Sequence, residues 1–146
     1  MKRLLPVFTA LLLAAVSPTL THAQDAPVVV STKKHKVVIQ LASGEAEVHK
    51  AMFKQFQNFL NAAPNARIEV VCHNNGLSFL KKSNDFAGQV QEYAAKGIDF
   101  VACENTMKQR NVKREELVDA CRTVPAGLVE VVLKQEKGWS YIKAGF

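Results

Sequence analysis

Three cysteines, Cys72, Cys103 and Cys121, are the strongest nucleophiles in the chain, and their settings differ. Cys103 closes the largely apolar run Ile98-Asp99-Phe100-Val101-Ala102 and opens the polar turn Glu104-Asn105-Thr106. A buried strand surfaces there and hands over to a helix N-terminus, whose free N–H groups and partial positive charge favour a thiolate over a thiol. Glu104 beside it opposes that effect, and Lys108, one turn on, supports it. Cys103 is the candidate nucleophile. Cys72 ends a second apolar run and is followed by His73. It reads as a second thiol able to resolve an intermediate on Cys103, as half of a Cys/His metal pair, or as a packed strand-end cysteine. Cys121, beside Arg122, reads as a packing residue.

The spacings narrow the chemistry. No C-x-x-C is present, which removes the signature of a thioredoxin-like oxidoreductase and of a zinc ribbon. No P-loop, G-x-G-x-x-G or Ser/His/Asp order occurs, which argues against nucleotide, dinucleotide and hydrolase functions. Too few ligands converge to expect a metal, and no cofactor is expected. With three cysteines, at least one thiol stays unpaired in a monomer. A Cys72–Cys103 disulfide in an oxidising compartment would turn the site into a redox switch.

The N-terminal stretch resembles an export signal rather than part of a fold. Lys2 and Arg3 precede an apolar stretch of about 13 residues from Leu4, and Thr21-His22-Ala23 ends in a small residue acceptable to a signal peptidase. That stretch is shorter than the roughly 20 residues needed to span a bilayer, so no stable membrane insertion is expected. The expectation is cleavage after Ala23, a flexible leader over 24–35, a domain over 36–146, and a periplasmic location. The formal net charge is +6, and losing Lys2 and Arg3 leaves +4. Basic residues are scattered among acids, as in Lys113-Arg114-Glu115-Glu116, with no basic stripe of the kind that binds nucleic acid.

The elements that must position the cysteines follow from periodicity. Strands are expected at Lys36–Leu41, Arg67–Cys72, Ile98–Ala102, Arg122–Val124 and Trp139–Lys143. Helices are expected at Glu47–Ala62, Phe86–Lys96, Thr106–Arg110 and from Pro125, at the first helical position, to Lys137, with shorter turns at Leu77–Lys82 and Arg114–Asp119. The first helix places Val48, Met52, Phe56, Phe59 and Leu60 on one face and leaves His49 on the polar side. This alternation predicts a three-layer α/β/α single domain with a mostly parallel sheet of about five strands. Loops after parallel strands gather on one rim beside helix N-termini. Ser43-Gly44, Cys72-His73-Asn74-Asn75-Gly76, Cys103-Glu104-Asn105-Thr106 and Pro125-Ala126-Gly127 should share that rim. Ser43, Gly44, His73, Asn74 and Gly76 are candidate ligand contacts there, and Asn105 and Thr106 are the N–H donors for a charged sulfur. Trp139 and Tyr141 read as core aromatics that could also line a pocket.

Phe100-Val101-Ala102-Cys103-Glu104-Asn105-Thr106-Met107-Lys108, with Val124-Pro125-Ala126-Gly127 and Gly138-Trp139-Ser140-Tyr141-Ile142-Lys143, resembles the DsrE/DsrF-like family of sulfur-relay proteins. The resemblance covers Lys36 to Lys143. It implies a three-layer fold, frequent homo-oligomers, and a cysteine after the third strand that carries sulfur as a persulfide; that cysteine maps onto Cys103. The later segments match a largely uncharacterised branch, and the export signal departs from the cytoplasmic relay members, so their partners are not carried over. The expected function is a periplasmic sulfur-binding or sulfur-transfer protein exchanging sulfane sulfur with donor and acceptor thiols. The alternative is a non-catalytic module of the same fold that binds a small ligand or another subunit.

Overall fold

A computed structural model describes residues 28–145; the expected export signal and the first part of the leader lie outside the described residues. Five strands form one sheet: β1 (Lys36–Leu41), β2 (Arg67–Cys72), β3 (Asp99–Cys103), β4 (Cys121–Val124) and β5 (Ser140–Lys143). Their order is β4-β3-β2-β1-β5 and every pairing is parallel, so the expected sheet is wholly rather than mostly parallel.

The helices α1 (Ala46–Ala62), α2 (Ala87–Ala95), α3 (Glu104–Gln109) and α4 (Gly127–Glu136) sort onto the two faces by a handedness rule. Successive steps β1→β2→β3→β4 run in one direction, and parallel crossovers are right-handed, so α1, α2 and α3 share a face. The step β4→β5 runs back across the sheet, which places α4 on the opposite face. The cores agree. Met52, Phe56, Val90 and Met107 from those helices join Ile39, Val70 and Phe100 of the strands in one cluster, whereas Val131 of α4 joins Val38, Val71, Val101 and Val124 in a second. β2 is buried from Ile68 to Cys72 because both faces are covered, and only Glu69 interrupts its apolar run.

The first core is held by aromatic packing. Phe53, Phe56, Phe79 and Tyr93 meet with ring centroids 5.2 to 5.9 Å apart, in tilted and edge geometries that favour the ring quadrupoles. His49 corrects the expectation of a solvated residue. It is 2% exposed, stacks 4.9 Å from Phe79, and its Nε2 lies 3.0 Å from the Ser43 carbonyl. Burial lowers its pKa and holds the imidazole neutral, although the Ser43 carbonyl works the other way. The buried face of α1 is thus centred on His49, Met52, Phe53 and Phe56, and the flank carrying Val48 and Phe59 is only half-buried.

A charge network clamps α4 to the sheet. Glu69, fully buried in the middle of β2, binds Lys134 of α4 and Arg122 of β4, and Arg122 also reaches Asp99 and Glu130 at 2.9 and 3.0 Å. Trp139 lies under Lys134, with the ammonium 4.5 Å from its ring centre. The outer side of α4 is apolar, with Leu128, Val129 and Val132 at least half exposed.

Candidate functional site

In an open α/β sheet, a crevice forms at the carboxyl edge where neighbouring strands send their chains to opposite faces. Here that happens between β3 and β4. The chain leaves β3 into α3 on one face and leaves β4 into α4 on the other. Cys103, the last residue of β3, pairs in register with Val124, the last residue of β4, and so sits at the floor of this crevice. Strand alternation directs its side chain toward the α4 face, as it does for Val101 two residues earlier.

Gly127 makes the thiol environment. Its N–H, at the first residue of α4, donates to Cys103 Sγ at 3.2 Å. A Cβ at Gly127 would stand 3.1 Å from both Cys103 Cβ and Val71 Cγ1, so close that these atoms would have to give by a few tenths of an ångström, and glycine eases this approach of the α4 N-terminus. From the other side, Asn74 adopts a left-handed backbone (φ 50°) and donates its N–H to Thr106 Oγ1 at 3.1 Å. The Thr106 hydroxyl, having accepted that bond, can turn its proton to the sulfur. Burial works to raise the Cys103 pKa, but the Gly127 N–H, with donors from Thr106 and Asn105, outweighs it, and the thiol titrates below its ordinary range. The Asn105 N–H also donates to the Pro125 carbonyl at 3.2 Å, which ties the two walls of the crevice together.

Two neighbours weighed in the sequence drop out of this balance. Glu104 turns its carboxylate to the Thr123 hydroxyl, which donates at 2.7 Å, and Thr123 is on the face opposite Cys103. Lys108 lines a hollow on that same side, with Glu104 and Arg114. A thiol that reacts with a donor needs access to it, and Cys103 is only 5% exposed.

Cys72 faces the other way. It packs in the α1-side cluster, fully buried, and burial pushes its thiol well above the ordinary range, with Cys121 adding to the effect. All three cysteines are free thiols, and the sheet itself separates Cys72 from Cys103, so this structure does not bring a resolving pair together. Cys121 is also buried on the α1 side, with its thiol donating to the Val118 carbonyl, and burial again raises its pKa against the nearby Arg114. Among the described residues, no three His, Cys, Asp or Glu side chains converge as a metal site would need.

His73 is the residue the sequence placed best beside the thiol. The register Cys72↔Ala102 makes His73 the next-strand neighbour of Cys103, on the same face. Its Nε2 takes an N–H from the Gln40 side chain at 2.8 Å, and Gln40 in turn accepts the Tyr141 hydroxyl. That chain leaves the His73 proton on Nδ1. Burial lowers the His73 pKa, more than its bond with Asn74 raises it, and the ring stays neutral. Tyr141 is thus a positioning residue at the surface rather than a core aromatic, whereas Trp139 packs against the α4-side core.

The rim splits in two. Cys103, His73, Asn74, Asn105, Thr106 and Gly127 surround the crevice, while Ser43 and Gly44 line a separate basin at the end of β1. Gly76 faces neither; it is buried beneath the β1 loop, its N–H on the Ala42 carbonyl at 2.9 Å, where a Cβ would run into the Leu41 carbonyl. Gly127 as thiol partner was not legible, although a glycine opening a helix on the same rim is the signal that could have found it.

The fold and crevice define a small doubly wound α/β protein with a cysteine at its switch point that accepts an N–H from the first residue of a helix. The match to the DsrE/DsrF-like family spans residues 34–144, and the chain belongs to that family. Among solved structures, it is similar to a protein of unknown function, MTH1491, from Methanobacterium thermoautotrophicum. That match has 25% identity and a TM-score of 0.73, covering 75% of this chain and 99% of the other. The ychN protein from E. coli shares the fold at 11% identity and a TM-score of 0.54, over 76% of this chain and 99% of its own. No curated protein matches.

Proposed function

We propose that the protein is an exported sulfur carrier that holds sulfane sulfur as a persulfide on Cys103. The observation carrying this reading is the Gly127 N–H on Cys103 Sγ at the β3/β4 switch point, which lowers the thiol pKa. In the loading step, the Cys103 thiolate attacks the outer sulfur of a persulfide or polysulfide donor. The donor's S–S bond breaks and its electron pair leaves with the donor thiolate. The outgoing step is the mirror image, with an acceptor thiolate attacking the outer sulfur and Cys103 departing as thiolate. The amides of the crevice hold the negative charge in both states.

Residues 1–23 supply the export signal in this reading, and the periplasm is the compartment. The apolar outer face of α4 supports a homo-oligomer, since Leu128 and Val129 continue that face to within one residue of Gly127. A groove of about 730 Å³ between α1 and β5, lined by Val48, Phe59 and Ile142, favours a second reading, a ligand-binding module with Cys103 merely packed. Intact mass after polysulfide treatment separates the two. The carrier gains sulfur in the wild type and not in Cys103→Ser; a binding module gains none in either.

A further inference from the structure

The carboxyl end of β1 opens onto a basin of about 640 Å³ whose walls carry Ser43, Asn75, Ser78, Arg110, Lys143 and Glu45. Arg110 enters from the end of α3, donating to the Asn75 side chain, and Lys143 is the last residue of β5. Glu45 immediately precedes α1. None of these three charges takes part in an ion pair among the described residues. Two cations and one carboxylate around a basin with two hydroxyls complement a zwitterion. A ligand carboxylate meets Arg110 and Lys143, and its ammonium meets Glu45. A bare oxyanion satisfies the cations but is opposed by Glu45.

The basin is tied to the crevice by consecutive residues. The Asn74 N–H bonds to Thr106 beside Cys103, and the Asn75 side chain accepts Arg110. Arg110 follows Cys103 by seven positions, about 10 Å of helical rise. A single amino acid does not cover that span, whereas a peptide of about three residues does, at roughly 3.3–3.6 Å each.

We infer that the basin docks a short zwitterionic peptide thiol in its persulfide form and presents the outer sulfur to Cys103, a reading that rests on the sulfur-carrier function above. The Cys103 thiolate attacks that outer sulfur, the carrier's S–S bond breaks, and the electron pair leaves with the peptide thiolate, which takes a proton from water. No external oxidant or reductant enters.

S-methylglutathione, which has the headgroups but cannot exchange sulfur, probes docking by calorimetric titration of the protein. Saturable binding is expected, unchanged in Cys103→Ser, weakened at least tenfold in Arg110→Gln/Lys143→Gln, and weakened in Glu45→Gln. These side chains are exposed, so the variants should keep the fold. With glutathione persulfide as donor, sulfur loading of Cys103 should slow about tenfold in the double variant, while loading from inorganic polysulfide should not change. No saturable binding, or binding indifferent to these substitutions, overturns the inference. Sulfate that displaces the probe at equal affinity, with Glu45→Gln neutral, also overturns it and marks a plain oxyanion site. If polysulfide loads Cys103 without basin-dependent binding, the basin inference alone falls. A Cys103 inert to both donors while the probe still binds removes the sulfur-carrier reading and, with it, the persulfide as ligand.

Discussion

Gly127 and Cys103, 24 residues apart in sequence, meet across the β3/β4 crevice with the N–H of one 3.2 Å from the sulfur of the other. Replacing Gly127 with alanine puts a methyl group against Cys103 Cβ and Val71. The buried Cys103 and Val71 have little room to give, so the α4 N-terminus is expected to shift and the hydrogen bond to the thiolate to lengthen. A bond to a charged group contributes about 1.5–3 kcal/mol, and 1.4 kcal/mol is tenfold. Gly127→Ala should therefore slow Cys103 alkylation at neutral pH by about tenfold, and stopped-flow labelling measures it. An unchanged rate would mean the N–H does not activate the sulfur.

Gly76 anchors the other wall. Its replacement by alanine drives a Cβ into the Leu41 carbonyl, so the β1 and β2 loops must separate. The expected loss is about 3 kcal/mol, at the upper end of overpacking penalties, read from the urea midpoint.

Much of this architecture is legible in sequence, for reasons that differ by element. β1 and β2 fall at the expected residues because their β-branched runs have no competing pattern. The helix after Cys103 starts earlier than expected, at Glu104 rather than Thr106, because the strand's last residue itself serves as the N-cap. His49 was misplaced because periodicity ranks histidine as polar, whereas a carbonyl partner and Phe79 bury it. The candidate site was half legible. Position on the rim picks out Cys103, His73, Asn74 and Thr106. Which face each strand-end side chain takes, and hence that Cys72 is turned away, depends on register between strands distant in sequence.

The Glu69 network makes a pH-dependent prediction. Burial holds the Glu69 pKa above the ordinary carboxylate range, although Lys134 and Arg122 pull it down. The unfolded chain then releases this proton first, so the contribution to stability is full below about pH 4 and falls as pH rises through the raised folded value. Removing Lys134 leaves the buried carboxylate with Arg122 as its sole ionic partner among the described residues. Lys134→Ala should lose about 3 kcal/mol near pH 8, and less near pH 4 where Glu69 takes up a proton. Urea midpoints at the two pH values test the sign.

The outer face of α4 predicts assembly. Val129→Glu with Val132→Glu places charge on residues that are 55% and 50% exposed, so the subunit fold should survive. Sedimentation velocity should show the wild type as an oligomer and the double variant as a monomer. A wild type that sediments as a monomer at micromolar concentration would contradict the proposed assembly.

The most direct test of the central claim is the pH profile of alkylation, resolved by cysteine, in the native protein. The account predicts that Cys103 reaches half its maximal rate below the pH of about 8.5 expected of an ordinary thiol, while Cys72 and Cys121 stay unlabelled until the chain unfolds. A Cys103 that titrates at or above that value, or reacts no faster than the two buried thiols, would contradict it.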